Sequence, residues 1–169
     1  TPCRGVTTIV MKLFQLVQPD VAYFGAKDYQ QQLVIRRMTR DLDVPVEIVT
    51  CPTVREPDGL ALSSRNAYLS PEDRQSALAL SRALRRAEER LTAGEQETEA
   101  VEREMRSMLE STAGVSVDYA VVVDGETLEP ITAPRPRMTA LVAARIGTTR
   151  LIDNVTIQLA SPGTDARSS

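Results

Sequence analysis

The sequence predicts a mixed fold: a short α/β stretch built on parallel strands, followed by an α+β module with a three-stranded antiparallel sheet. Three observations predict it. Helix and strand patterns alternate between residues 6 and 50, the rhythm of a sheet whose strands are joined by helices. Beyond residue 70 two helical patterns precede three strand patterns in a row, which suits helices packed on a small antiparallel sheet. A hydrophobic content of 42% over 169 residues supplies a core for one globular domain or two small ones.

The elements follow in chain order. Val6, Ile9, Val10, Leu13 and Val17 recur at helical spacing, and Pro19 ends that helix. Residues 21–24, VAYF, read as a short buried strand closed by Gly25. Residues 29–42 read as a helix with Leu33, Val34, Met38 and Leu42 on one side. Pro45 opens a second strand, residues 46–50, and Pro52 closes it. Two parallel strands do not make a stable sheet of this kind, and the pattern starts on a helix. Residues 1–54 therefore read as the trailing part of a doubly wound domain whose leading part lies outside this chain.

Residues 55–160 read as a second domain. Ser70-Pro71-Glu72-Asp73 is a helix start, with serine as N-cap, proline at the first helical position and acids in the first turn. Ala77, Leu80, Leu84, Ala87 and Leu91 form its apolar stripe, and Gly94 breaks it. A second helix spans about residues 97–110, with Val101, Met105 and Met108 inside. Residues 115–124 alternate as a half-buried strand, with Val115, Val117, Tyr119, Val121 and Val123 on one face. Residues 138–147 and 150–159 are two more strands, joined by a turn at Gly147-Thr148-Thr149. The tail, 161–169, reads as disordered.

Composition narrows the function classes. The net charge of −3 leaves no electrostatic footprint for nucleic acid or an anionic membrane. No apolar run reaches the roughly 20 residues of a membrane span, and no signal-peptide pattern is present. Two cysteines, Cys3 and Cys51, read as reduced thiols of a cytoplasmic protein rather than a disulfide framework. There is no histidine, so this chain holds no Ser-His-Asp triad, no histidine zinc site and no histidine acid–base chemistry. The chain starts on Thr1, which reads as a processed, trimmed or cut N-terminus.

Three stretches carry candidate chemistry. In Gly25-Ala26-Lys27-Asp28 a strand ends and a helix begins. Ligands of open α/β sheets bind beyond the carboxyl ends of strands. Glycine admits close backbone approach, a helix N-terminus favours anions, and lysine is a mobile point charge. Lys27 is one of only two lysines in an arginine-rich chain. The plainer alternative makes Asp28 a helix cap and Lys27 a solvated loop residue. Residues 60–66, LALSSRN, offer two hydroxyls, an arginine and an asparagine, a donor set for a polyphosphate. Their plainer alternative is a polar turn ahead of the Ser70 helix. Val6, Ile9, Val10, Leu13 and Phe24 could line a pocket for a branched apolar substrate, or simply pack a core.

Together these stretches resemble the pantothenate synthetases, the pantoate–β-alanine ligases. The resemblance runs from Arg4-Gly5-Val6-Thr7-Thr8 through VQPDVAYFGAKDYQQ and PVEIVTCPTVREPDGLALSSRN to GTTRLIDN. It implies an adenylyltransferase-type Rossmann domain, here only in part, followed by a small C-terminal lid domain. It implies ATP-dependent condensation of pantoate with β-alanine through a pantoyl adenylate, with ATP and Mg2+ required. The implied ATP contacts are Gly25, Ala26, Lys27, Asp28, Val54, Leu62, Ser63, Ser64 and Arg65. Lys27, Ser63, Ser64 and Arg65 are the implied catalytic groups, Gln31 the implied pantoate contact, and the apolar five would hold pantoate's methyls. No metal ligand is assigned within this chain.

The chain departs from the family at Ala26, where members carry Glu, and at Pro2-Cys3, where they carry His-Phe. The family's first nucleotide signature, with two histidines, lies in an N-terminal part, together with a second pantoate-binding glutamine. The resemblance therefore implies a little over half of a full-length member, negligible ligase activity for this chain alone, and a homodimer or a complementing N-terminal half. Two other readings stay open: a non-catalytic remnant or interaction module binding nucleotide weakly, and an adenylate-forming amide ligase with other substrates.

Overall fold

The structure is a computed structural model that describes residues 2–159. The expected disorder of the tail falls outside the described residues, as do the side chains of Pro2, Cys3 and Arg4. The described residues form two compact units that divide between Val54 and Arg55. No helix among them is long and apolar enough to cross a membrane.

The first unit runs helix, strand, helix, strand: α1 (Pro2–Val17), β1 (Val21–Gly25), α2 (Tyr29–Asp41) and β2 (Glu47–Cys51). β1 and β2 pair in parallel from Val21↔Glu47 to Gly25↔Cys51, so both carboxyl ends lie side by side. The strand patterns were thus legible to within a residue. The expected burial was not. β1 is only partly buried, and Tyr23 stands 70% exposed. On α1 the inward side chain is Phe14, which meets Phe24 edge to face at 6.5 Å. Val6 and Val10 are half-buried, whereas Ile9, Leu13 and Val17 are exposed, so core packing does not account for these three.

α2 also turns a different side inward from the one its apolar residues suggest. Tyr29, Gln32, Ile35 and Thr39 are buried, Leu33, Val34 and Met38 half-buried, and Leu42 exposed. Hydrogen bonding makes the polar members tolerable inside. With its amide oriented to suit its neighbours, Gln32 accepts from Arg36 at 3.0 and 3.1 Å and from Thr50 Oγ1 at 2.8 Å. Arg36 also donates to Thr50 Oγ1 at 2.7 Å, and Thr39 Oγ1 donates to the Arg36 carbonyl at 2.9 Å. This polar cluster ties α2 to β2.

The second unit holds α3 (Pro71–Thr92), α4 (Thr98–Glu110), β3 (Val115–Asp124), β4 (Arg137–Ile146) and β5 (Thr149–Gln158). The sheet order is β3-β4-β5, antiparallel throughout. α3 starts as its sequence requires: Ser70 Oγ accepts from the Asp73 amide at 3.1 Å, with Pro71 in the first turn. Ala77, Leu80, Leu84, Ala87 and Leu91 are all buried. α3 packs on β4 and β5, and α4 packs on β3. Leu80, Leu84, Met105, Leu109, Val122, Met138, Val142 and Ile157 close the core between helices and sheet.

β3 corrects one expectation. Its register shifts between Val117 and Tyr119, so Asp118 is an extra residue that reverses the in–out alternation. Val115 and Val117 pack toward the core before the bulge, and Ala120 and Val122 do so after it. The five side chains expected on one face are therefore split between two. The β4–β5 turn places Gly147 at φ +55°, a conformation that favours glycine.

Candidate functional site

Each unit carries one group of the candidate residues. In the first, residues 25–28 leave the carboxyl end of β1 and enter α2 through a 3-10 turn, Ala26–Asp28. Gly25 has an ordinary extended backbone, φ −70° and ψ 135°, so conformation does not demand glycine. A Cβ added there would meet nothing within 4 Å. The missing side chain leaves backbone open to approach from outside. Ala26 and Lys27 are half-buried and Asp28 is exposed.

Asp28 occupies the N-cap position of α2, yet its side chain makes no capping bond. The plainer reading of Asp28 as a side-chain cap is thereby excluded. Gln31 faces solvent, while its neighbour Gln32 is buried. Val6, Val10 and Phe24 are half-buried, and Ile9 and Leu13 are 61% and 51% exposed. Val54, at the end of this unit, is exposed as well. Cys51 is a free, half-buried thiol opposite Gly25 in the sheet register.

The second unit holds the other group. Residues 55–61 fold into a tight turn: the Glu56 amide donates to the Leu60 carbonyl at 2.8 Å, and Arg55 bridges Ala61 antiparallel. Gly59 sits at φ +94° within it, where a side chain would strain the backbone. Leu62 then faces solvent. Ser63 opens a 3-10 turn, Ser64–Tyr68, its Oγ accepting from the Arg65 amide at 3.3 Å. Ser63 is half-buried, and Ser64 and Arg65 are exposed, so their polar ends are presented outward.

A network that the sequence did not announce lies behind this segment. The Glu56 carboxylate accepts from Asn66 Nδ2 at 2.6 Å through one oxygen and from Arg74 at 2.6 Å through the other. Arg74, in the first turns of α3, also reaches Asp58 at 2.7 and 2.8 Å. Asn66 donates a second bond, to the Ala61 carbonyl at 3.0 Å. The Asn66 bond, then Arg74, holds the Glu56 carboxyl below its ordinary range. The Leu60 amide, then Arg74, does the same for Asp58. Both carboxylates push the Arg74 guanidinium up, Glu56 foremost. Two acids and a basic residue 16 to 18 positions later form no sequence motif; only the loop's fold brings them together.

Among the described residues no group of three His, Cys, Asp or Glu side chains could hold a metal ion.

The family profile described as Pantoate-beta-alanine ligase matches residues 2–156. The pantothenate synthetase of Moorella thermoacetica is 53% identical over 156 residues, which cover 92% of this chain and 55% of that protein. The crystal structure of pantothenate synthetase from Thermus thermophilus superposes with a TM-score of 0.85 at 50% identity, covering 89% of this chain and 54% of that one. The pantoate-beta-alanine ligase of Francisella tularensis, solved with beta-gamma ATP and beta-alanine, gives a TM-score of 0.62 at 31% identity over 89% of this chain and 49% of that one. The chain thus spans about half the length of the curated relatives it matches. With the family profile matching residues 2–156, the chain belongs to the pantoate-beta-alanine ligase family.

Proposed function

We propose that this chain supplies part of the active site of an ATP-dependent ligase that joins pantoate to β-alanine. The observation that carries the proposal is the family match across residues 2–156, which includes both groups of candidate residues. The Francisella tularensis relative, solved with beta-gamma ATP and beta-alanine, supports the nucleotide and the amine as substrates.

Pantoate's carboxylate is ionised at neutral pH, so the first step needs no base. A carboxylate oxygen attacks the α-phosphorus of ATP, the α–β phosphoanhydride bond breaks, and pyrophosphate leaves. The product is pantoyl adenylate. The β-alanine amine then attacks its acyl carbon, the acyl–phosphate bond breaks, and AMP leaves as the amine gives up a proton. Both steps bring anions together, so alignment and neutralisation of phosphate charge are the protein's task.

In this reading Gly25 and Ala26 lie along the nucleotide, with Lys27 and Asp28 at its phosphates. Ser63, Ser64 and Arg65 serve as phosphate contacts, and exposed Val54 and Leu62 as adenine contacts. Gln31 contacts pantoate, and Val6, Ile9, Val10, Leu13 and Phe24 take its methyl groups. Solvent exposure of Gln31, Ser64 and Arg65 supports these roles, because each side chain is available to a ligand. The exposed apolar side chains of Leu16, Val17 and Tyr23 support completion of the Rossmann sheet by further polypeptide, and a homodimer and a cytoplasmic setting go with that reading.

AMP release from pantoate, β-alanine and MgATP tests the proposal. The chain alone should release none above background. Adding the N-terminal part of the Thermus thermophilus relative, which this chain does not cover, should restore release, and Lys27→Ala should abolish it. Release by the chain alone would sink the claim of a partial site. Complemented activity that ignored pantoate would transfer the reading to another acid.

A further inference from the structure

The segment proposed to meet the nucleotide phosphates is exposed at Ser64 and Arg65, yet its next residue is buried. Asn66 is 9% exposed, and its side-chain nitrogen spends both hydrogens, one on Glu56 and one on the Ala61 carbonyl. Its side-chain oxygen is buried and has no hydrogen-bond partner. Turning the amide over would set that oxygen against a carboxylate and a carbonyl, two acceptors. The fold therefore tolerates an orphaned acceptor, a costly state, in order to keep the amide nitrogen facing Glu56. Glu56 is in turn fixed by Arg74 of α3, the best-buried helix of its unit.

We infer that Glu56 and Asn66 are positioning residues for Ser64 and Arg65, fixing the segment on α3 so that its hydroxyl and guanidinium are presented to polyphosphate in one geometry. The Asn66 backbone amide also donates to the Ser63 carbonyl at 3.0 Å, so residues 63–66 move as one turn. Glu56 is suited to this place by acceptor count. Both partners donate, and only a carboxylate offers an acceptor to each. An amide of identical shape would turn a donor toward Asn66 or toward Arg74. The inference rests on the reading of residues 63–65 as phosphate contacts, and it assigns the network behind them rather than the contacts themselves.

The test uses the 169-residue chain with three variants: Glu56→Gln, Arg65→Ala, and Arg86→Gln, which breaks the separate pair between Arg86 on α3 and Glu104 on α4. Backbone 15N relaxation at Ser64 and Arg65 reads positioning without any ligand. Glu56→Gln should lower their order parameters from about 0.85 to below about 0.6, with β4 unchanged. MgATP titration should show affinity falling on the order of tenfold in Glu56→Gln and in Arg65→Ala, and unchanged in Arg86→Gln. Order retained at Ser64 and Arg65 in Glu56→Gln overturns the inference, whatever happens to ATP. Weakening by Arg65→Ala with none by Glu56→Gln also overturns it, while the phosphate reading stands. Affinity indifferent to Arg65→Ala overturns the phosphate reading instead, and the relaxation result still decides the positioning role.

Discussion

Arg55 and Asp153 form a two-pronged ion pair, 2.8 Å from Nη1 to one carboxylate oxygen and 3.1 Å from Nη2 to the other. The partners stand 98 residues apart, so the opening residue of the second unit is fastened to its last strand. Asp153 is almost fully buried and also accepts from the Asn154 amide at 2.8 Å. Removing the arginine leaves that carboxylate buried without its cation. Arg55→Met should destabilise the second unit by about 3 kcal/mol, read as a lower urea midpoint. Arg55→Lys should recover only part, because an ammonium cannot reproduce the planar fork. A midpoint unchanged in Arg55→Met would show that the pair adds nothing.

The two units should differ in local stability. The second buries a continuous helix–sheet core, in which nearly every residue of β4 is inaccessible. The first has two strands and, among its described residues, few buried apolar side chains: Phe14, Tyr29 and Ile35. Amide hydrogen exchange in β1 should run on the order of a hundredfold or more faster than in β4. Equal protection in both strands would contradict this account of the first unit.

Acid should act through carboxylates held below their ordinary range. The Asp124 carboxyl is held at about 2 against a usual 3.8, first by the Thr127 and Glu126 amides and also by Arg135. Its pKa is lowered by folding, so its contribution is complete above about pH 4 and disappears as pH falls toward about 2. Glu56, Asp58, Glu95 and Glu104 are lowered too and act in the same direction. Asp124→Asn should be less stable at about pH 7 and lose less stability between about pH 4 and pH 2. Parallel urea-midpoint curves for the two proteins across that range would refute the assignment.

Gly147 tests backbone and packing together. Its φ is +55°, and a Cβ there would lie 3.0 Å from Asp73 Oδ2. Gly147→Ala should cost about 1–2 kcal/mol of unfolding free energy through its left-handed backbone, plus the displacement of Asp73. In an Asp73→Ala background the penalty should shrink without vanishing, because the strain at φ remains. A penalty of the same size in both backgrounds would mean that Asp73 gives way freely.

α3 was readable almost entirely, since its cap, its proline and its stripe are local signals spaced within one element. The boundaries of β1, β2, β4 and β5 were readable for the same reason. The inward side of α2 was not, because Gln32 and Thr39 are buried only through Arg36 and Thr50, and Thr50 lies on a distant strand. The split face of β3 was hidden as well. A bulge at Asp118 adds no unusual residue to the sequence, yet it reverses every side chain after it.

The candidate residues themselves, Gly25 to Asp28 and Ser63 to Arg65, stood out by motif. Sequence alone determined the order of helices and strands, the strand ends that carry the glycine-lysine turn, and the family whose pattern these residues follow. Tertiary structure decided what lies behind them. The carboxylate of Glu56 is shared between Asn66 and Arg74, and Arg55 is clasped by Asp153. Capping and periodicity act between residues a turn apart, so one segment can declare them. A charged pair closed by a loop depends on where two remote segments come to rest, and only the packed core sets that.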